Sequence, residues 1–103
     1  MIIEKKMKVP SGKKVVVKAT VIGQKIKELR LTGDFFLHPE ESVEFLENVM
    51  RDSGQIYLKD DLLKAVEENS IKLVGITIDA LISLMEEIYK EIGPANPEQK
   101  VEE

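Results

Sequence analysis

The chain has 103 residues, of which 43% are hydrophobic and 33% are charged, with a formal net charge of −4 at pH 7. Such a length and composition are typical of one globular domain with a modest core. The absence of cysteine excludes disulfides, thiolate nucleophiles and iron–sulfur ligation, and a single histidine excludes a multi-histidine metal site.

The first third of the chain predicts strands. Ile3, Met7 and Val9 fall at odd positions of a Lys-rich first strand, and a turn at Pro10-Ser11-Gly12 ends it. A second strand shows strict period-two alternation of apolar and polar positions. Its apolar face comprises Val15, Val17, Ala19 and Val21.

A hairpin connects the second strand to a third, because only Gly23-Gln24 separates the two segments. Leu29 and Leu31 share one face of the third strand, whereas Ile26 has the opposite parity. That break indicates either a bulge or a late start of the strand. The sequence thus predicts a small antiparallel sheet of three strands.

The segment after the third strand contains two of the three phenylalanines and the only histidine. Gly33 suits a backbone that turns sharply or approaches another segment closely. Phe35, Phe36 and Leu37 are consecutive, so they cannot all face one core. Either a tight loop buries both rings, or one ring is a docking contact, since aromatic residues concentrate at interface cores.

Helical periodicity follows this segment and predicts about three helices packed on the sheet. The first runs from about Pro39 to Asp52, with Pro39 in its first turn, where a missing N–H costs nothing. A short second helix begins after Asp60 or Asp61. Its inward residues are expected to be Leu62, Leu63 and Val66.

The last helix is the most strongly patterned. Thr77 is its expected N-cap, and Gly93-Pro94 ends it. A single domain is therefore expected over residues 1–93, followed by a polar C-terminal tail over residues 94–103. The apolar face of the last helix comprises Ile78, Leu81, Ile82, Met85, Ile88, Tyr89 and Ile92.

Charge is divided unevenly along the chain. Residues 1–33 carry nine basic and two acidic side chains, whereas residues 34–103 carry six basic and seventeen acidic ones. The two parts therefore have net charges of +7 and −11. Such polarity either steers an acidic partner or simply keeps charged strands solvated. Nucleic acid is a weaker candidate, because the basic excess lacks an arginine cluster.

The sequence gives little sign of a membrane or of export. No apolar run reaches the roughly 20 residues that span a bilayer. The stretch Met1-Ile2-Ile3-Glu4-Lys5-Lys6 lacks the apolar core of a signal peptide. We therefore expect a cytoplasmic protein without a membrane partner.

Catalytic motifs are missing from the sequence. It has no phosphate-binding loop, no dinucleotide fingerprint and no His/Cys metal spacing. His38 with Asp34 could act as a general base, but a pair without a cleft is weak evidence. The alternatives are that His38 hydrogen-bonds the backbone at a helix entry and that Asp34 fixes the loop.

The stretch Leu31-Thr32-Gly33-Asp34-Phe35-Phe36-Leu37-His38-Pro39-Glu40-Glu41 resembles the Thr-Gly-Asp-Phe-Phe motif of the lipoate–protein ligase C-terminal (accessory) domain family. Lys8-Val9-Pro10-Ser11-Gly12-Lys13 is similar to the family's lysine–proline–glycine–glycine–lysine turn, with Ser11 where a first glycine is common. Gly75-Ile76-Thr77 resembles a third segment more loosely. The resemblance covers about residues 1–92, and the size of the chain matches a stand-alone accessory subunit.

This resemblance implies an α+β fold like that of the scaffold and sulfur-transfer proteins of iron–sulfur assembly, without their cysteine chemistry. It also implies a catalytic partner subunit that binds ATP, lipoate and Mg, forms lipoyl-adenylate and transfers lipoyl to an acceptor domain. The chain would serve chiefly the adenylation step, with no cofactor, metal or catalytic residue of its own. A scaffold or adaptor module on the same fold and a small enzyme using Asp34 and His38 remain alternatives.

Partner-binding residues are expected at the two motifs and along the second strand. Lys13, Lys14 and Lys18 should form an exposed basic edge that aids association with the partner or approach to the anionic adenylate site. The expected set is Gly12, Lys13, Lys14, Lys18, Gly33, Asp34, Phe35, Phe36, His38 and Pro39.

Overall fold

The computed structural model describes residues 1–10 and 13–93 of the chain. The predicted α+β class is confirmed, with a three-stranded antiparallel sheet and three helices. A second sheet of two short strands was not predicted. The elements in order are β1 (Ile2–Lys8), β2 (Lys14–Ile22), β3 (Lys25–Gly33), β4 (Phe36–His38), α1 (Ser42–Asp52), α2 (Leu58–Glu68), β5 (Lys72–Val74) and α3 (Ile78–Ile92).

The main sheet has the order β1-β2-β3, with β2 at its centre. The alternation predicted for β2 is confirmed, since its apolar face is fully buried and the side chains of Lys14 and Lys18 are exposed. The β2–β3 hairpin turns at Gly23 and Gln24, both with positive φ. The buried face of β2 comprises Val15, Val17, Ala19 and Val21.

The parity break in β3 is a bulge. Thr20 lies opposite Glu28 and Val21 lies opposite Ile26, which leaves Lys27 as the extra residue. The bulge returns Ile26 to the inward face, where it is partly buried against the core. The bulge alternative is therefore confirmed, and the late start is wrong because β3 begins at Lys25.

The helices cover one face of the sheet. α1 packs on β3, α3 packs on β1 and β2, and α2 contacts α1 and α3. Two polar contacts fix this layer: the Leu31 N–H donates to Glu47 Oε2 at 2.7 Å, and Lys5 Nζ donates to Glu91 Oε2 at 2.6 Å. The second hydrogen bond raises the pKa of Lys5.

The last helix follows its predicted pattern. Thr77 Oγ1 accepts the Ala80 N–H at 3.1 Å, and the Gly93 N–H donates to the Tyr89 carbonyl, so the predicted cap and end are confirmed. Four predicted face residues are buried and three are partly buried, but the sequence analysis missed Ala80 and Leu84. The predicted tail, residues 94–103, lies outside the described residues. None of the described helices is long and apolar enough to cross a membrane.

The first two helices differ from prediction at their N-terminal ends. α1 begins at Ser42 rather than Pro39, because Pro39 follows strand β4 and its carbonyl accepts the Ser42 N–H in a turn. α2 begins at Leu58, before Asp60. Leu63 is 46% exposed rather than inward, because the spacing of Leu58, Leu62 and Ala65 sets the buried face and turns position 63 away from it.

Gly33, the last residue of β3, has no space for a side chain. Its φ is +145°, and a Cβ atom there would overlap the Lys14 carbonyl oxygen and lie 3.0 Å from Val15 Cα. The predicted close approach is therefore confirmed, and the neighbouring segment is the backbone of Lys14 and Val15 at the start of β2.

Gly33→Ala is expected to lower the free energy of unfolding by at least about 3 kcal/mol, because backbone strain adds to overlap with fixed backbone atoms. Gly54→Ala is the control, since Gly54 has a φ of +79° but open space around its Cβ position. The Gly54→Ala control should lower the free energy of unfolding by only about 1–2 kcal/mol. Denaturant unfolding measures both losses, and equal losses would contradict the close-approach role.

Candidate functional site

Three segments that carried the sequence resemblance meet at one end of the main sheet. Lys13, residues 33–36, Val74 and Gly75 surround an open depression of about 320 Å³. We call this set the loop cluster. Its segments come from the β1–β2 connection, the motif after β3 and the approach to α3, so only the fold brings them together.

Two hydrogen bonds attach the motif to β2. The Asp34 N–H donates to the Lys14 carbonyl at 2.8 Å, and the Lys14 N–H makes a long contact of 3.5 Å with Asp34 Oδ2. Asp34 therefore fixes the loop against the start of β2, rather than through bonds within the loop. Together with Gly33 it determines where the chain leaves the sheet.

Gly75 closes the other side of the loop cluster. Its φ is +82°, and a Cβ atom there would lie 3.1 Å from the Asp34 carbonyl oxygen and 3.3 Å from Phe35 Cα. The absence of a side chain lets the segment before α3 pack directly on the motif backbone. Sequence analysis did not include Val74 or Gly75 in the site, although the loose resemblance around Gly75 was the available signal.

The three consecutive apolar residues divide between the core and the surface. Leu37 is 1% exposed, Phe35 is partly buried against the core, and Phe36 is 60% exposed. The alternative that a tight loop buries both rings is therefore wrong. The pairing of β4 with β5 explains the result, because alternate residues of a strand face opposite sides and Phe36 and Leu37 both lie in β4.

The predicted basic edge is split by the structure. Lys13 lines the depression, and the backbone of Lys14 contacts Asp34. Lys18 lies four residues further along β2, opposite Arg30, and does not line the depression. Gly12 lies outside the described residues.

His38 and Pro39 lie at the other end of β4. His38 is exposed and pairs with Lys72 of β5, and the His38–Pro39 peptide bond is cis. Neither residue lines the depression of the loop cluster. Among the described residues no hydrogen bond or ion pair joins His38 to Asp34, and the Asp34 carboxylate instead contacts the Lys14 N–H. His38 is also not at a helix entry, because it lies in a strand.

The described part of the chain offers little that would hold a metal. It has no cluster of three or more His, Asp or Glu residues arranged for an ion.

A second depression, of about 490 Å³, lies between α1 and α2, and the half-exposed ring of Phe45 forms part of its wall. Sequence analysis did not predict that groove.

This chain is similar to known proteins both in sequence and in structure. No family model matches the sequence. Lipoate-protein ligase A subunit 2 of Thermoplasma acidophilum is 38% identical over 45 residues, which make up 42% of this chain and 48% of that protein. The match thus spans about half the length of this curated relative.

The structural match is more extensive. A chain from the solved structure of a bipartite lipoate protein ligase and its lipoyl domain, from the same organism, superimposes with a TM-score of 0.70. The superposition covers 82% of this chain and 94% of the Thermoplasma chain, and the two are 25% identical in sequence. The predicted resemblance is confirmed. The chain is similar to the accessory subunit of a two-part lipoate–protein ligase.

Phe35 and Phe36 should differ in their effect on stability. Phe35→Ala is expected to lower the free energy of unfolding by about 2–3 kcal/mol, because it removes a ring packed on the core. Phe36→Ala should change it by less than about 0.5 kcal/mol, because most of that ring is exposed. Denaturant unfolding of both variants measures the difference, and a large loss at Phe36 would give that ring a structural role.

Proposed function

We propose that this chain is a non-catalytic accessory subunit of a two-part lipoate–protein ligase. The observation that carries the proposal is the meeting of the three resembling segments in the loop cluster. The similarity to subunit 2 of an archaeal ligase, in sequence and in structure, supports it. The partner would be the catalytic subunit of that ligase.

In this proposal the large subunit carries the chemistry. It would bind lipoate, ATP and Mg, form lipoyl-adenylate, and transfer the lipoyl group to a lysine of an acceptor domain. This chain would act in the first step by covering the partner's active site, excluding water and ordering its loops around the reactive mixed anhydride. We expect these steps to take place in the cytoplasm.

The loop cluster has the properties of a docking surface. Phe36 projects an exposed ring beside a depression, and large aromatic side chains dominate the binding energy of many interfaces. The surrounding backbone is held by Gly33, Gly75 and the hydrogen bonds of Asp34, so the ring is presented on a fixed support. A preformed surface binds at a lower entropic cost than one that must become ordered.

Lys13 and Lys14 add positive charge at the border of the loop cluster. Charges at an interface rim act mainly on the association rate and on partner choice. They would favour an approach to the part of the partner that holds the anionic nucleotide. The aromatic ring would then supply affinity, and the lysines would supply orientation.

Pyrophosphate release from lipoate and ATP is expected to require both proteins, because without this chain the loops of the large subunit would not be ordered around ATP and lipoate for attack of the carboxylate on the α-phosphate. Lipoyl transfer from supplied lipoyl-adenylate should proceed with the large subunit alone, because no group of this chain takes part in bond making. A pyrophosphate assay and an acceptor-modification assay measure the two steps. Full adenylation by the large subunit alone would contradict the proposal.

A further inference from the structure

The main sheet has one face that no described helix covers. Because the helices pack on the inward residues, the alternate residues of all three strands face away from the core. Each of them is exposed or partly exposed. We call this surface the open sheet face, and its charged residues are Glu4, Lys6, Lys8, Lys14, Lys18, Lys25, Glu28 and Arg30.

The open sheet face is strongly basic and largely unpaired. It carries six cations and two carboxylates. Its one ion pair among the described residues joins Arg30 to Glu28 at 3.9 Å, and its five lysines form none there. Lys5, which lies on the inward face, is by contrast paired with Glu91. Six of the nine basic residues of the N-terminal third therefore share this one surface.

Two pairs of cations lie directly opposite each other across neighbouring strands. Lys8 pairs with Lys14 in the register of β1 and β2, and Lys18 pairs with Arg30 in that of β2 and β3. Like charges in directly opposed positions destabilise a sheet, although Glu4 on the other side of Lys18 offsets part of that repulsion. A surface whose like charges lower the stability of the fold is commonly a functional surface, because function and stability often place opposite demands on the same residues.

We propose that the open sheet face binds an acidic surface of the acceptor domain, while the loop cluster binds the catalytic subunit. This inference rests on the proposed function and deepens it, because it assigns Lys18 and its neighbours to the protein that receives the lipoyl group. Carboxylates of the acceptor would neutralise the opposed cations of the sheet.

The polarity of the open sheet face favours the acceptor domain, rather than the catalytic subunit, as its binding partner. Permanent interfaces are large and apolar, whereas transient encounters are smaller and more polar. Most side chains of the open sheet face are charged or polar. Its apolar residues are the half-buried Val16 at its centre and the exposed Ile2 and Ile22 near the β2–β3 hairpin, at the end away from the loop cluster. A substrate protein must leave after each turnover, so an electrostatic encounter surface suits it.

The position of the open sheet face, next to the loop cluster, also suits binding of the acceptor domain. Lys14 faces outward on the open sheet face, and its backbone contacts Asp34 of the loop cluster. The two surfaces are thus continuous at this residue. An acceptor bound to the sheet would lie beside the subunit that holds the adenylate.

The test uses Lys6→Glu combined with Lys8→Glu, in the complex with the catalytic subunit and with the lipoyl domain as acceptor. The variant should fold, because Lys8→Glu places an opposite charge across from Lys14. The kcat/KM for the acceptor should fall roughly tenfold at low ionic strength, the lower end of the range for steered association. This loss should shrink at an ionic strength of about 0.5 M, and pyrophosphate release without acceptor should not change.

The control is Lys59→Glu combined with Lys64→Glu on α2, which changes the net charge equally on another surface. The inference is overturned if kcat/KM for the acceptor is unaffected, or if the control lowers it as much. It is also overturned if the Lys6 and Lys8 variant loses association with the catalytic subunit, since the face would then belong to that subunit. A failure of the proposed function is recognised separately, because the unsubstituted chain would then not stimulate pyrophosphate release.

Discussion

The close contact between Gly33 and the backbone of Lys14 is the constraint on which the candidate site depends. Because no Cβ fits there, the last residue of β3 lies directly against the start of β2, and the chain leaves the sheet at that point. Asp34 then hydrogen-bonds Lys14 and fixes the direction of departure. Phe35 turns toward the core, and β4 begins with Phe36 facing outward.

Local patterns were sufficient to predict most of the main sheet and the last helix. Period-two alternation located β2, the break at Ile26 indicated the bulge, and Thr77 marked the start of α3. These features depend on neighbouring residues, which a sequence displays directly. The start of α1 was missed because Pro39 satisfies the rule for a first helical turn, yet it follows a strand that local pattern did not reveal.

That strand pair could not be predicted from local signals. β4 and β5 have three residues each and are separated by two helices, so neither shows a readable alternation. Their pairing is what separates Phe36 from Leu37 and brings Gly75 to the motif. The sequence therefore indicated Lys13 and residues 33–36 of the depression but not Val74 or Gly75, and the exposure of one ring and the burial of the other required the fold.

In the proposed function the chain acts through its surfaces, and it has two surfaces of different character. The loop cluster offers one exposed ring on a backbone held by Gly33, Gly75 and Asp34, whereas the open sheet face offers mainly dispersed charge, with its exposed isoleucines confined to the hairpin end. Affinity comes mainly from buried aromatic contacts, and association rate comes mainly from charge. The two surfaces thus suit a lasting subunit contact and a brief substrate contact.

The affinity of the chain for the catalytic subunit tests the central claim most directly. We compare Phe36→Ala with Ile56→Ala, because Ile56 is 62% exposed, similar to Phe36, and lies between α1 and α2. If the loop cluster is the docking surface, Phe36→Ala should raise the Kd at least about tenfold and Ile56→Ala should leave it unchanged. An unchanged Kd for Phe36→Ala, measured by calorimetry on the folded variant, would contradict the account.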